Sequence, residues 1–339
     1  MTTLTYTVQF LTPAFLGDAE QNGRWRTPPF KALLRQWWRV VYAADHNFNV
    51  NIEEMRREEG LLFGNAWLSH RVNDREVADH CKSLVRLRLE NVDGSPSEGW
   101  ARGTQKGVAP LPTGLQTSYA WFGLVKRGGG LPDRTAIKPS IPEGKRRLHL
   151  VLPESHGGWI ELTVRLIHTF GQVGTRSRGG WGSLEFQGLT SLEGEDLSRF
   201  ARSLQECLNS DWAMSLAQDQ KGLCMWESTT GYETWEKAMQ KIAEERKRVR
   251  TELRSCKGKD LRIALGFAGD GRMPSPLRWK IFSRGNGKLG LRVFAMPHRL
   301  PADSGRTMSP DDLQTAWNTV LSAVDQSSVV KRINAGVHR

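Results

Sequence analysis

The first ten residues alternate between apolar and polar side chains, so that Leu4, Tyr6, Val8 and Phe10 share one face. A period of two is that of a β-strand with one buried face. The same signal predicts further strands at 85–90, 118–125, 146–152 and 159–170. The last of these, WIELTVRLIHTF, is the strongest, and the turn-like ESHGG joins it to the strand before it.

Helical periodicity first appears after Pro28 and Pro29, and proline suits the first turn of a helix. The remaining elements that the pattern predicts are helices at 196–218, 229–255 and 310–324, a strand at 261–267 and a hairpin at 277–297. Thr230 and Glu233 have the spacing of a helical capping box. Asn286-Gly287 is a favourable tight turn for the hairpin.

This order of elements favours an α+β fold with antiparallel sheets over a parallel, doubly wound sheet. Two ferredoxin-like (RRM-like) domains with helical and loop insertions would account for it. The predicted boundary falls where the pattern changes character, which gives an N-terminal domain at 1–190 and a helix-rich C-terminal domain at 191–339.

Composition adds a charge argument, since 48 Lys and Arg against 36 Asp and Glu leave a net charge of +12. Such an excess favours a polyanionic partner, nucleic acid ahead of an anionic membrane surface. A basic protein that binds no polyanion is the alternative. The four cysteines have no C-x-x-C spacing and the histidines are dispersed, so we expect no disulfide framework, no metal site and no cofactor. With no signal peptide or membrane span in the pattern, the expected location is the cytoplasm.

The first predicted helix carries a basic stripe. Lys31, Arg35 and Arg39 follow one another at helical spacing, beside a stripe of apolar residues that includes Trp37. Trp38 falls on the border between the two stripes. Cations that hold phosphates beside a ring that stacks on a base suit single-stranded nucleic acid. The alternative is a surface helix whose long basic side chains cover the core. The flanking Arg24 and Arg26 extend the basic character.

The second candidate is the glycine-rich segment 171–186, GQVGTRSRGGWGSLEF. Glycine allows backbone N–H groups to approach an anion, and arginine adds bidentate phosphate contacts. The candidate residues in it are Arg176, Ser177, Arg178, Gly179, Gly180 and Trp181. An ordinary glycine-rich turn between strands is the alternative. Neither a Walker loop nor G-x-G-x-x-G is present, which argues against nucleotide hydrolysis.

No catalytic arrangement is evident in the sequence. Asp18 lies in the loop after the first strand, where it could position or activate a ribose 2′-hydroxyl. A lone aspartate in a loop is more often a turn residue.

The two segments together resemble the RAMP superfamily of CRISPR proteins, and within it the large two-domain head subunits of type III-B (Cmr) effector complexes. The resemblance rests on FLGDAEQNGRWRTPPFKALLRQWWR, residues 15–39, and on VGTRSRGGWGSLEF, residues 173–186. It implies two ferredoxin-like domains and a position near the 3′ end of a CRISPR RNA. The partners that it implies are CRISPR RNA, single-stranded target RNA and other RAMP subunits, with no membrane.

The resemblance therefore predicts a non-catalytic RNA-binding subunit that helps to capture target RNA. Two alternatives remain open. One is a RAMP endoribonuclease that cleaves target or guide RNA with Asp18. The other is an assembly subunit whose basic surface meets an acidic protein and has no direct RNA role.

Overall fold

A computed structural model describes residues 1–20, 23–66, 69–73, 75–78, 80–92, 118–121, 124, 136–137, 145–254, 260–268 and 271–333. Residues 122, 123 and 125 of the predicted strand 118–125, and the glycine- and proline-rich segment 93–114 with Arg102 and Lys106, lie outside these residues.

The first sheet is built around the N-terminal strand. Its strands are β1 (Thr2–Phe10), β4 (Arg86–Asn91), β5 (Lys145–Leu152) and β6 (Leu184–Phe186). They lie in the order β4-β5-β1-β6, and every neighbouring pair is antiparallel. The helices α1 (Thr27–Asp45) and α4 (Gly157–Phe170) pack on its apolar face. Its other face carries Thr3, Thr5, Arg88 and His149, so it is polar.

The second sheet repeats this succession of elements. Its strands are β10 (Met225–Ser228), β11 (Leu277–Arg284), β12 (Lys288–Ala295) and β13 (Val330–Arg332). They lie in the order β11-β12-β10-β13, again antiparallel throughout. The helices α7 (Trp235–Glu252) and α8 (Pro310–Asp325) follow β10 and β12 and pack on one face.

Smaller helices and strands lie between these elements in the part of the chain that the structure describes. They are α2 (Ile52–Phe63), β2 (Ser69–Val72), β3 (Arg75–Ala78), α3 (Ser118–Trp121), α5 (Glu195–Ser198), β7 (Ala201–Ser203), α6 (Leu204–Leu208), β8 (Leu216–Asp219) and β9 (Gly222–Leu223). Among the residues that the structure describes, no helix is both long and apolar enough to span a membrane.

The two halves stack as sheet, helices, sheet, helices. The face of the second sheet that α7 and α8 leave open lies against α1 and α4 of the first half. Phe294 of β12 contacts Phe170 and Trp37, with ring centroids 4.7 and 6.4 Å apart. Lys280 of β11 donates a hydrogen bond of 3.3 Å to the carbonyl oxygen of Ile167 in α4. Each apolar core therefore takes residues from both sides of residue 190, and the domain boundary stays a prediction.

The structure confirms β1, α1, β4, β5, α7, the β11–β12 hairpin and α8, and with them a mixed α+β fold with antiparallel sheets. Asn286 and Gly287 form the hairpin turn with φ angles of 60° and 72°, as a tight turn of this kind requires. The predicted strand 159–170 is wrong, because this segment is α4. Its fully buried Ile160, Val164 and Ile167 recur every three or four residues, which is the helical period.

Other predictions also fail where local signals compete. The predicted helix 196–218 is instead α5, β7, α6 and β8, since Ser203 and Glu206 form a capping box that starts α6 in its middle. Thr234, and not Thr230, caps α7 through the backbone N–H of Lys237. The predicted strand at 261–267 begins as a 3₁₀ helix, Leu261–Leu265. In the segment 118–125, Ser118–Trp121 is helical.

Candidate nucleic-acid interface

The two motif segments are joined to each other by hydrogen bonds. We call residues 171–183 the glycine–arginine loop. Its Gly182 N–H donates to the Pro13 carbonyl (3.0 Å), and its Thr175 N–H donates to that of Phe15 (3.1 Å). The Thr12 hydroxyl donates to the Gly180 carbonyl at 2.7 Å. The segment after β1 and the glycine–arginine loop thus form one unit, although about 165 residues separate them in sequence.

The glycines of this loop allow close packing. Gly182 has φ of 61°, and a Cβ there would lie 1.9 Å from the Val173 carbonyl oxygen. Gly180, at φ of 100°, lies against Met239 and Ile242 of α7. The prediction that glycine frees backbone N–H groups for an anion is not supported at Ser177, Gly179 and Gly180, because their N–H groups donate within the loop. At these three positions the backbone N–H groups are already used, so an anion there would be held by side chains.

Arg176 lies at the tip of the loop, exposed and with φ of 60°. Arg246 and Arg250 of α7 lie beside it. Burial lowers the pKa of Arg246, the charge of Tyr119 opposes this shift, and the cations Arg176 and Arg250 lower the pKa further. The Arg246 guanidinium lies 5.3 Å from the centroid of the Tyr119 ring. We call Arg176, Arg246 and Arg250 the outer arginine cluster.

Arg178 points to the opposite side of the loop. Its Nη1 donates to the carbonyl oxygens of Pro274 (2.9 Å) and Ser275 (3.1 Å). Burial lowers its pKa to about 10. Its own carbonyl accepts the Trp279 N–H at 3.1 Å, next to a parallel bridge between Gly179 and Trp279. Arg178 therefore ties the glycine–arginine loop to the edge of the second sheet.

The two tryptophans proposed to stack on bases are buried. Trp38 is 1% exposed, and its ring contacts Tyr42, Phe63 and Trp159. Trp181 is fully buried, and its indole N–H donates to the Ala120 carbonyl at 3.0 Å. The prediction that Trp38 borders a basic surface is wrong, because α2 and the start of α4 cover that side of α1. Neither ring offers a face for stacking.

The basic stripe of α1 has a counter-ion from another helix, α2. Glu59 of α2 is 1% exposed, and it accepts hydrogen bonds from Nε of Arg35 (2.5 Å) and Nη2 of Arg39 (2.9 Å). Burial would raise the pKa of Glu59, but the two arginines outweigh it and hold the pKa below its ordinary value. Burial and then the charge of Arg35 lower the pKa of Lys31. Arg35, Arg39 and Glu59 together leave a single positive charge.

Asp18 forms an ion pair with Arg24, its Oδ2 lying 3.2 Å from Nε. Its Oδ1 accepts the backbone N–H of Glu20, which is the geometry of a turn residue. Arg26 is exposed just before α1. Among the described residues, no three of His, Cys, Asp and Glu lie close enough together to hold a metal ion.

Sequence reasoning missed the role of α7. The run EERKRVRTELR mixes both signs of charge, which is typical of a solvated helix face. Glu244 and Glu245, however, form ion pairs with Lys241 and Arg248 and do not neutralise Arg246. The position of Arg246 and Arg250 beside the glycine–arginine loop depends on packing between the halves, which no local pattern encodes.

The model of the RAMP superfamily matches residues 7–185, more than half of the chain. No curated protein matches the chain. The crystal structure of Cmr1 from Pyrococcus furiosus (apo form) is similar with a TM-score of 0.53 and 19% identity, over 95% of this chain and 97% of that one. A chain of the type III-B Cmr-beta complex bound to cognate target RNA and AMPPnP is similar with a TM-score of 0.51 and 11% identity, over 94% of this chain and 99% of that one. At these identities, the likeness concerns the fold.

Proposed function

The chain belongs to the RAMP superfamily, and from this premise we propose that it is a non-catalytic RNA-binding subunit of a type III-B CRISPR RNA-guided complex. It lies near the 3′ end of the CRISPR RNA and aids the capture of target RNA. Its partners are both RNAs and other RAMP subunits. Its two sheets belong to two ferredoxin-like domains, which the repeated strand–helix–strand–strand–helix–strand order supports.

The outer arginine cluster is the observation that carries the RNA-binding role. A non-glycine residue at positive φ costs on the order of 1 kcal/mol, yet an arginine occupies this position at the exposed tip of the loop. Arg246 and Arg250 add two further cations at the same place. Mutually repelling cations around an exposed loop suit the phosphates of an RNA backbone, which would relieve their repulsion.

The surroundings of Asp18 support a binding role over catalysis. The Arg24 cation pairs with its carboxylate and so occupies the side chain. The nearest described carboxylate in sequence, Glu20, is exposed. A single aspartate engaged in a turn supplies neither the acid–base pair nor the metal site that phosphodiester cleavage commonly uses.

The test is a salt titration of affinity for single-stranded RNA, with the full chain and with the assembled complex. Arg176→Gly combined with Arg246→Gln should weaken binding about equally for RNAs of different sequence, because phosphate contacts carry no sequence information. The slope of log K against log salt should fall by about 1.4 for two lost contacts to single-stranded RNA. Glycine suits the backbone at position 176, so the first substitution removes charge without strain.

Arg56→Gln with Arg57→Gln on exposed α2 surface is the charge-matched control, and it should leave the slope unchanged. Absence of RNA binding by the wild-type chain and complex, or a flat salt response, would contradict the proposal and favour the assembly subunit. Loss of target cleavage in a complex with Asp18→Ala, with RNA binding retained, would favour the endoribonuclease.

A further inference from the structure

Arg278 is a buried cation without a counter-ion. It lies at the start of β11, is 3% exposed, and places its guanidinium 5.9 Å from the centroid of the Trp37 ring. Its Nε is buried and makes no hydrogen bond, and no described residue accepts one from the rest of the guanidinium. Burial and the charge of Arg178 lower its pKa well below the ordinary value.

The other two buried cations on the same face of this sheet are satisfied. Lys280 donates to the carbonyl oxygens of Ile167 and His168 at the C-terminal end of α4. Arg292 forms an ion pair of 2.5 Å with Glu227. A buried charge without a partner is strongly unfavourable, and arginine stays protonated in proteins. Arg278 is thus an exception on a face that otherwise satisfies its cations.

Two further groups lie beside Arg278. Arg178 donates to the carbonyls of Pro274 and Ser275 through Nη1 only. The N–H groups on its Nε and Nη2 therefore have no acceptor among the described residues. His298 follows β12, and its Nδ1 lies 2.8 Å from the Arg299 carbonyl, which leaves Nε2 without a partner among the described residues. Burial first, and then the charges of Arg178 and Arg278, lower the pKa of His298 to about 4.

We propose that Arg178, Arg278 and His298 form a pocket for one phosphate group, between the glycine–arginine loop and the edge of the second sheet. Trp37 occupies the face of the Arg278 guanidinium, and the in-plane N–H donors remain for an anion. Two guanidinium groups match the charge of a phosphate dianion. The anion also favours the protonated imidazole, which then adds a third donor.

The pocket is inferred from these contacts and does not depend on the proposed function. The assignment of its phosphate to RNA does rest on the proposed function. An RNA backbone and a small phosphorylated molecule offer the same group, and they are distinguished by experiment. This inner pocket lies on the opposite side of the glycine–arginine loop from the outer arginine cluster, so each can be removed separately.

Thermal unfolding of the full chain in inorganic phosphate, against chloride at equal ionic strength, tests the pocket. Phosphate should raise the Tm of the wild type, because a ligand that binds only the folded state stabilises it. Arg278→Met should weaken phosphate binding about tenfold or more, as expected for a lost charged hydrogen bond. It should not lower the Tm in chloride, because methionine removes an uncompensated buried charge.

Lys280→Met is the matched control, two residues along the same strand and equally buried. It should lower the Tm in chloride, since the carbonyls of α4 lose their donor, and the phosphate shift should persist. Arg178→Met provides a second test of the pocket if the first variant does not fold. A wild-type Tm that phosphate does not raise, or a phosphate shift that survives both Arg278→Met and Arg178→Met, would overturn the proposal.

RNA titration identifies the source of the phosphate. If Arg278→Met reduces the salt slope of RNA binding by about 0.7, the phosphate belongs to the RNA. If RNA affinity and slope are unchanged while the phosphate shift is lost, the pocket takes a small phosphorylated ligand. A phosphate shift in a wild-type chain that binds no RNA would refute the proposed function and leave the pocket standing.

Discussion

Two groups of arginines in this protein differ in how their charge is compensated. On α1, Arg35 and Arg39 enclose the buried carboxylate of Glu59. At the glycine–arginine loop, Arg178 and Arg278 approach each other without a carboxylate from any described residue. In the sequence, both groups belong to segments that are recognisable only as basic. The difference indicates that the α1 group holds two helices together, whereas the loop group is arranged for an anion that comes from outside.

The largest expected effect tests the structural side of this comparison. Trp38→Ala should lower the free energy of unfolding by about 3–5 kcal/mol, because it removes a large ring from the core beside Phe63 and Trp159. Urea denaturation gives the loss, and RNA titration of the folded variant should give the wild-type affinity. Weakened RNA binding at full stability would restore a direct role for this ring.

The double variant Arg35→Ala, Arg39→Ala should lower the free energy of unfolding by about 3 kcal/mol, because it leaves Glu59 buried without a partner. In the wild type, the pKa of Glu59 is lower in the folded than in the unfolded chain. The ionised Glu59 therefore contributes to the free energy of unfolding at a pH above its pKa in the unfolded chain, near 4.5. This contribution is lost as the pH falls through its pKa in the folded chain.

Unfolding measured as a function of pH checks this origin. The stability difference between wild type and double variant should shrink as the pH falls below about 4.5. Arg24→Ala with Arg26→Ala removes the same charge at exposed positions and should change the stability by less than about 1 kcal/mol. An equal loss in both double variants would show that overall charge, and not the pair with Glu59, is responsible.

On the anion-binding side, Arg246→Gln with Arg250→Gln should weaken RNA binding about tenfold while changing the stability little. Arg246 is repelled by Arg176 and Arg250. Arg250 attracts the exposed Asp260 and donates one hydrogen bond of 3.3 Å to the Gly266 carbonyl, so its loss removes only weak stabilising contacts. Fluorescence anisotropy with labelled RNA measures the affinity. Lys237→Gln with Lys247→Gln on the same helix is the charge-matched control. If the Arg246→Gln, Arg250→Gln variant lost as much stability as the Arg35→Ala, Arg39→Ala variant, Arg246 and Arg250 would have a structural role and not an RNA-binding one.

The parts of the fold that the sequence predicted correctly are those with purely local signals. Strand β1, helix α1 and the hairpin around Asn286 combine a clear period with a turn or helix-start residue. The prediction of a strand at 159–170 failed because the β-branched residues of this segment favour a strand, whereas packing against the first sheet stabilises the helix α4. Local propensity was overridden there by burial of one helical face.

The functional surface was predictable in its motif residues but not in their partners. A helical wheel shows Arg35 and Arg39 but cannot show Glu59, which comes from a different helix. Alternation along the hairpin places Arg278 on the polar face of β11, and only the stacking of the two halves buries it. The counter-ion of a cation, or its absence, is a property of tertiary packing.

The smallest effect is expected at Asp18, whose exposed partner Arg24 makes their ion pair a weak one. Asp18→Asn keeps the hydrogen bond to Glu20 N–H and removes the charge, so the free energy of unfolding should fall by no more than about 1 kcal/mol. RNA affinity should stay the same or rise slightly, because Arg24 is then released for phosphate contacts. Urea denaturation and RNA titration of the same preparation measure both quantities. A strong decrease in RNA affinity would show that the pair orders the loop for RNA, and compensated arginines would then contribute to binding as uncompensated ones do.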